Sequence, residues 1–147
     1  MALRHPVTCE QIGQRSLYLG STRAARQGVV DTQFDHVITV SSSKQPLTTE
    51  FIPLVDGPSL SYKQFKQAVD AVRAHYHSDE TILVHCEVGI SRSAAVIATV
   101  LACEEGISFE EALDEVKRYR GRASPRRSLR ESGEKYIREV GSPLSIT

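Results

Sequence analysis

An excess of charge of either sign is missing from this chain of 147 residues, in which eighteen basic side chains balance eighteen acidic ones. Net charge therefore names no polyanionic partner, and no stripe of interleaved aromatic and basic residues suggests nucleic acid. Cysteine is scarce, with three in all. That number argues against a disulfide framework and for a reducing, intracellular compartment such as the cytoplasm. Long apolar runs are also absent. The longest, Ala94 to Cys103, is interrupted by Thr99 and reaches only half of the roughly 20 residues a membrane span needs. It reads instead as a buried helix, and no membrane partner is expected. The opening Met1-Ala2-Leu3-Arg4-His5-Pro6 has no apolar core for a secretory signal, so no export is expected. Internal repeats and low-complexity stretches are lacking too. A single domain over 1–147 follows, and a 40% hydrophobic composition is enough for one core.

Against these absences stands one dense local pattern, His85-Cys86-Glu87-Val88-Gly89-Ile90-Ser91-Arg92-Ser93. The apolar stretch Thr81-Ile82-Leu83-Val84 leads into it as a strand, and a helix leads out from about Ser91 through Ala94, Ala95, Val96 and Ile97. A loop between a strand and a helix N-terminus is a natural anion cradle. The five residues between Cys86 and Arg92 suffice to wrap backbone N–H groups around a tetrahedral phosphoryl dianion, so Glu87, Val88, Gly89, Ile90 and Ser91 are candidate phosphate-binding residues. Gly89 permits the tight bend. Arg92 offers a planar fork of donors that can grip two phosphate oxygens and hold charge in the transition state. The same positive environment favours a thiolate at Cys86, the candidate nucleophile. Ser93 is placed to donate a hydrogen bond to the sulfur when it leaves. His85 reads as a residue that orders the loop rather than as a catalytic base. A merely structural cysteine would need neither the glycine bend nor an arginine six positions on.

The order His-Cys-x5-Arg-Ser resembles the signature of the cysteine-dependent protein phosphatases, and the short chain resembles their dual-specificity branch, in its small, atypical, single-domain form. Ser16-Leu17-Tyr18-Leu19-Gly20-Ser21 and His36-Val37-Ile38-Thr39-Val40 are similar to the opening strand and second strand of that catalytic domain, and the likeness runs over residues 14 to 139. It implies a protein tyrosine phosphatase-like fold and hydrolysis through a phosphocysteine, with neither metal nor cofactor.

Such chemistry needs a general acid to protonate the departing oxygen. Asp56, thirty positions before Cys86 in the loop Asp56-Gly57-Pro58-Ser59, resembles the family's acid. The same Asp-Gly-Pro also reads as a turn, with Asp56 or Ser59 capping the next helix, and the two readings are compatible. Asp31, Asp35, Asp70 and Asp79 are weaker choices. Cys9 and Cys103 read as packing residues, Cys103 being about 16 Å along the helix from the loop.

Strands are expected at 16–19, 36–40, 50–54 and 81–85, and helices at 22–27, 59–76, 91–105, 108–120 and 125–138, with Gly106, Gly121 and Pro125 as breaks. Tyr62, Phe65, Ala68, Val69 and Val72 recur at helical spacing and should face the sheet. The fold class is α/β, with a central, mostly parallel sheet of four to five strands flanked by helices and the loop at the carboxyl end of its strand. The arginines 118, 120, 122, 126, 127 and 130 have two readings, one flanking the pocket to attract acidic phosphorylated partners and the other, preferred, a solvated face partly paired with Glu110, Glu111, Asp114 and Glu115. Here the resemblance weakens, because Arg126 follows Pro125 where the family commonly has Asn.

Glu87 and the lack of lysine in the loop argue against inositol lipids, and Ser91 stands where relatives acting on RNA ends carry Asn. A phosphorylated protein is the expected substrate, with phosphotyrosine and, in a shallow cleft, phosphoserine and phosphothreonine. Two other classes stay open: a phosphate-recognising module with little turnover, and a rhodanese-like sulfurtransferase.

Overall fold

The computed structural model describes residues 7–141. Five strands form one sheet in the order β1-β2-β5-β3-β4: β1 (Cys9–Gln11), β2 (Leu17–Gly20), β3 (His36–Thr39), β4 (Glu50–Phe51) and β5 (Ile82–His85). All neighbours pair in parallel except β1 with β2. The α/β class and the mostly parallel sheet are as expected. The edge strand β1 was not expected, because Cys9-Glu10-Gln11 has no apolar alternation to betray it. Its pairing to β2, with Cys9 opposite Gly20, is decided by the turn at 12–16.

Strand β5 lies at the centre, in register with β2 and β3, so that His85 stands between Gly20 and Thr39. Its residues are buried throughout, as a strand covered on both faces requires. Helices α1 (Tyr62–Tyr76), α2 (Arg92–Glu105), α3 (Phe109–Tyr119) and α4 (Arg127–Val140) share one core with Leu17, Leu19, Ile38, Ile82 and Val84. The other face, with Val37 and Leu83, is covered by Ala24 and Ala25 of a short 3-10 helix (Thr22–Ala25). The flanking is therefore lopsided, with the four long helices on one side.

Helix α2 is the centre of the helical layer. Residues Ser93 through Cys103 are all buried, which accounts for its nearly uniform apolar sequence. It ends at Gly106 in the left-handed conformation (φ 68°). Close approach to α4 is possible because Gly133 has no side chain: a Cβ there would lie 2.6 Å from both Phe109 Cε2 and Thr99 Oγ1. Helix α3 begins with a capping box, Ser108 accepting from the Glu111 N–H while Glu111 accepts from the Ser108 N–H. Helix α1 starts at Tyr62, not 59, because the hydroxyl of Ser61 accepts from the Gln64 N–H and sets the end there. Neither Asp56 nor Ser59 caps it. Phe65, Ala68, Val69 and Val72 are buried as expected, while Tyr62 lies at the margin. Among the described residues no helix is long and apolar enough to cross a membrane. Arg15, joined to Glu105 at 2.7 and 2.9 Å and to Glu115 at 2.9 Å, ties the turn after β1 to α2 and α3.

Candidate active site

The Cys86–Arg92 loop leaves the carboxyl end of β5 and enters α2, the position at which parallel sheets ordinarily bind ligands. Its shape follows from where its carbonyls go. The Cys86 carbonyl accepts from Thr22 Oγ1 at 3.4 Å and faces His85 Nδ1 at 3.3 Å. The Glu87 carbonyl accepts from the Thr22 N–H (3.1 Å) and the Ile90 carbonyl from the Ser124 N–H (2.8 Å). Those of Val88 and Gly89 accept from two nitrogens of one guanidinium, Arg120 Nη2 and Nε, each at 3.1 Å. Successive carbonyls from 86 to 90 are thus held by donors beyond the loop's own amides. In a planar trans peptide the next residue's N–H points the opposite way, so the amides of 87 through 91 turn to the other side. That side holds the sulfur, since the Gly89 N–H donates to Cys86 Sγ at 3.3 Å. Gly89 takes φ +74°, and a Cβ on it would lie 3.1 Å from the Gly20 carbonyl oxygen, so the bend tolerates little else.

Cys86 is 3% exposed, at the floor of this cup. Buried Ser93 places its hydroxyl 3.2 Å from the sulfur. Arg92 opens α2 and donates from Nη1 to the Leu54 carbonyl at 3.2 Å, so its guanidinium joins the cup to the segment that carries Asp56. The carboxylate of Asp56 accepts from Ser91 Oγ at 3.1 Å. Ser91 in turn accepts from the Arg126 N–H at 3.1 Å, and Arg126 Nε lies 3.4 Å from Asp56 Oδ1. Of the residues the sequence singled out, Asp56 is thus joined to Ser91, Ser93 to Cys86, and Arg92 to the Leu54 carbonyl two residues before Asp56. Glu87 and Val88 are exposed at the rim, Glu87 accepting from Ser42 Oγ at 3.4 Å. Val55, beside Asp56, is 50% exposed and Val88 49%. The other aspartates serve elsewhere: Asp35 accepts from the Thr81 N–H, and Asp70 from Tyr136 and Lys66. Cys9, Cys86 and Cys103 are all free thiols.

His85 is wholly buried. Burial pushes its pKa down to about 4, so the ring is neutral at physiological pH and cannot serve as an acid there. One tautomer satisfies its neighbours. The Cys86 carbonyl can only accept, so Nδ1 carries the proton. Nε2 then accepts from Thr39 Oγ1 (2.7 Å), whose own oxygen accepts from Thr48 Oγ1 (2.6 Å), which accepts from the Gln45 N–H (2.8 Å). This directed chain anchors the start of the loop, the ordering role expected for His85.

The arginine segment divides between its two readings. Arg118 pairs with Glu115 and Arg130 with Glu110, as a solvated face would. Arg120 and Arg126, however, turn to the loop and to Asp56. Thr22, Thr39, Thr48 and Ser124 were missed as site residues, and Arg120 and Arg126 were not told apart from the other arginines of their stretch. Their signal is purely spatial, since nothing in an isolated Thr or Arg announces which carbonyl it will meet.

Comparison with known proteins gives the same picture. A model of the dual specificity phosphatase catalytic domain matches residues 17–135. "Dual specificity protein phosphatase 1" of Arabidopsis thaliana is 32% identical over 120 residues, which cover 76% of this chain and 61% of the relative. "Dual specificity protein phosphatase 15" of Homo sapiens is 28% identical over 127 residues, covering 82% and 43%. The chain thus spans about half the length of these relatives. Among solved structures, human DUSP28 superposes with a TM-score of 0.79 at 26% identity, covering 96% of this chain and 100% of that one.

Proposed function

Because the chain belongs to the dual specificity phosphatase family, we propose that it hydrolyses phosphate monoesters on proteins, phosphotyrosine and also phosphoserine and phosphothreonine, through a phosphocysteine. The observation that carries this reading is the buried Cys86 sulfur, which receives the Gly89 N–H at 3.3 Å and faces the Ser93 hydroxyl at 3.2 Å inside a loop whose carbonyls are held outward. Donors aimed at a sulfur stabilise negative charge on it and on whatever anion rests above it.

In the first step Cys86 Sγ attacks phosphorus, the sulfur–phosphorus bond forms, and the bond to the leaving oxygen breaks. Asp56 gives that oxygen its proton. The amides of 87 through 91 and the Arg92 guanidinium hold the charge of the transferring group, which changes little in magnitude but spreads over three oxygens. In the second step Asp56 takes a proton from water as the water oxygen attacks phosphorus. The sulfur leaves as a thiolate steadied by Ser93, releasing inorganic phosphate. Ser91 and Arg126 position Asp56. The residues call for neither metal nor cofactor in these steps, and a reducing intracellular compartment suits the free thiol.

A chromogenic aryl phosphate tests the reading most directly. Cys86→Ser should abolish turnover and Asp56→Asn should lower kcat by about 10²–10³. Unchanged turnover in Cys86→Ser would overturn it. Matched phosphotyrosyl and phosphothreonyl peptides then set the specificity.

A further inference from the structure

The opposite end of the sheet carries a second cluster that phosphate chemistry does not use. His36 opens β3, Glu50 opens β4, His75 lies in the last turn of α1 and Glu80 lies two residues before β5. Because β3, β4 and β5 run parallel, these starts are gathered at the end remote from Cys86. His36 Nε2 lies 3.0 Å from Glu80 Oε1, and His75 Nε2 lies 3.7 Å from Glu50 Oε1. Donor atoms of His36, His75 and Glu80 all fall within 4.8 Å of one another.

Two further observations set this apart from a pair of ordinary ion pairs. The imidazole rings of His36 and His75 are stacked, with centroids 3.5 Å apart and planes 12° from parallel. The second observation is Glu50 Oε2, which is buried without a hydrogen-bond partner.

We propose that His36, His75 and Glu80 bind a first-row transition-metal dication of the zinc class. Imidazole and carboxylate donors select such an ion over magnesium or calcium, which prefer sets made wholly of oxygen. Two nitrogens at about 2.1 Å from a tetrahedral ion stand about 3.4 Å apart, and because an imidazole lone pair lies in the ring plane, one of the two stacked rings turns out of the stack when the ion binds. Glu50, with Oε1 3.7 Å from His75 Nε2, would close on that nitrogen as the outer carboxylate, leaving Nδ1 for the metal. The ion would clip the start of β3 to the end of α1 and to the entry of β5, adding stability without touching the catalytic loop.

The test uses the full chain as Cys86→Ser, so that the active-site thiol takes no metal, stripped with chelator and titrated with zinc chloride against a chromophoric chelator. One equivalent should bind, and a hundredfold excess over Kd should raise Tm by roughly 5–10 °C. His36→Ala, His75→Ala and Glu80→Gln should each weaken binding more than tenfold, and Glu50→Gln by about 10–100-fold. Glu80 is exposed, so its variant stays informative if a histidine variant does not fold. Cobalt substituted for zinc should show d–d bands without a thiolate charge-transfer band. No uptake by the folded chain, uptake unaffected by the His36, His75 and Glu80 variants, or a thiolate band in the cobalt spectrum would each overturn the proposal.

Discussion

Removing Arg120 tests whether the cup is held open from outside. Its guanidinium donates to the carbonyls of Gly89 and Val88 at 3.1 Å each, and those carbonyls are the reverse sides of the Ile90 and Gly89 amides. Hydrogen bonds from a charged donor contribute about 1.5–3 kcal/mol when buried. These are partly solvated, so a combined value of about 1–2 kcal/mol is the better figure after screening. If that energy organises the amides that meet the transition state, Arg120→Ala should lower kcat/KM on a small aryl phosphate by roughly 5–30-fold. Inhibition by an oxyanion such as vanadate should weaken by a similar factor, because the same amides hold it. Arg120→Lys should fall between, since an ammonium group lacks the planar fork that reaches two carbonyls together. Arg118→Ala, which removes only the pair with Glu115, serves as the control and should leave the rate unchanged. Wild-type kcat/KM and wild-type vanadate inhibition in Arg120→Ala would refute the reasoning.

Ser93→Ala removes the hydroxyl 3.2 Å from Cys86 Sγ and should slow the departure of the thiolate more than its attack, giving a burst of aryl alcohol equal to the enzyme concentration in stopped flow. Equal slowing of both steps would count against the assigned role. His85, shifted from 6.5 to about 4 by burial, binds a proton more readily in the unfolded chain, so its contribution is intact above pH 6.5 and is lost as pH falls toward 4. Between pH 7.5 and pH 5 the loss should be about 2 kcal/mol, read from urea midpoints, and most of it should vanish in His85→Gln. Gly133→Ala forces a methyl group to within 2.6 Å of Phe109 and Thr99. It should lower stability by about 1–3 kcal/mol, seen in calorimetry as a lower Tm with the pH profile of activity unmoved.

What the amino-acid order alone determined is whatever depends on neighbours along the chain. Cys86 to Ser93 form one loop because their spacing and Gly89 leave few other paths, and α2 was legible as buried because its apolar residues run on without a polar face. The start of α1 at Tyr62 and the existence of β1 were not legible, the first because Ser61 competes with Asp56 and Ser59 as a cap and the second because β1 is polar and short.

The tertiary structure alone decided everything that joins distant segments. Arg120 and Arg126 sit in a run of arginines with no local mark to tell them from Arg118 and Arg130, and only the packing of α3 and the segment after it against the loop turns two of the four toward the site. His36, Glu50, His75 and Glu80 are likewise ordinary in isolation. They meet because parallel strands bring residues that open β3 and β4, or precede β5, to one edge, whereas the carboxyl ends of the same strands meet at the other. Short-range geometry is set by bonds between adjacent residues, but which surfaces meet is set by burial of the shared core, and that is a property of the whole chain.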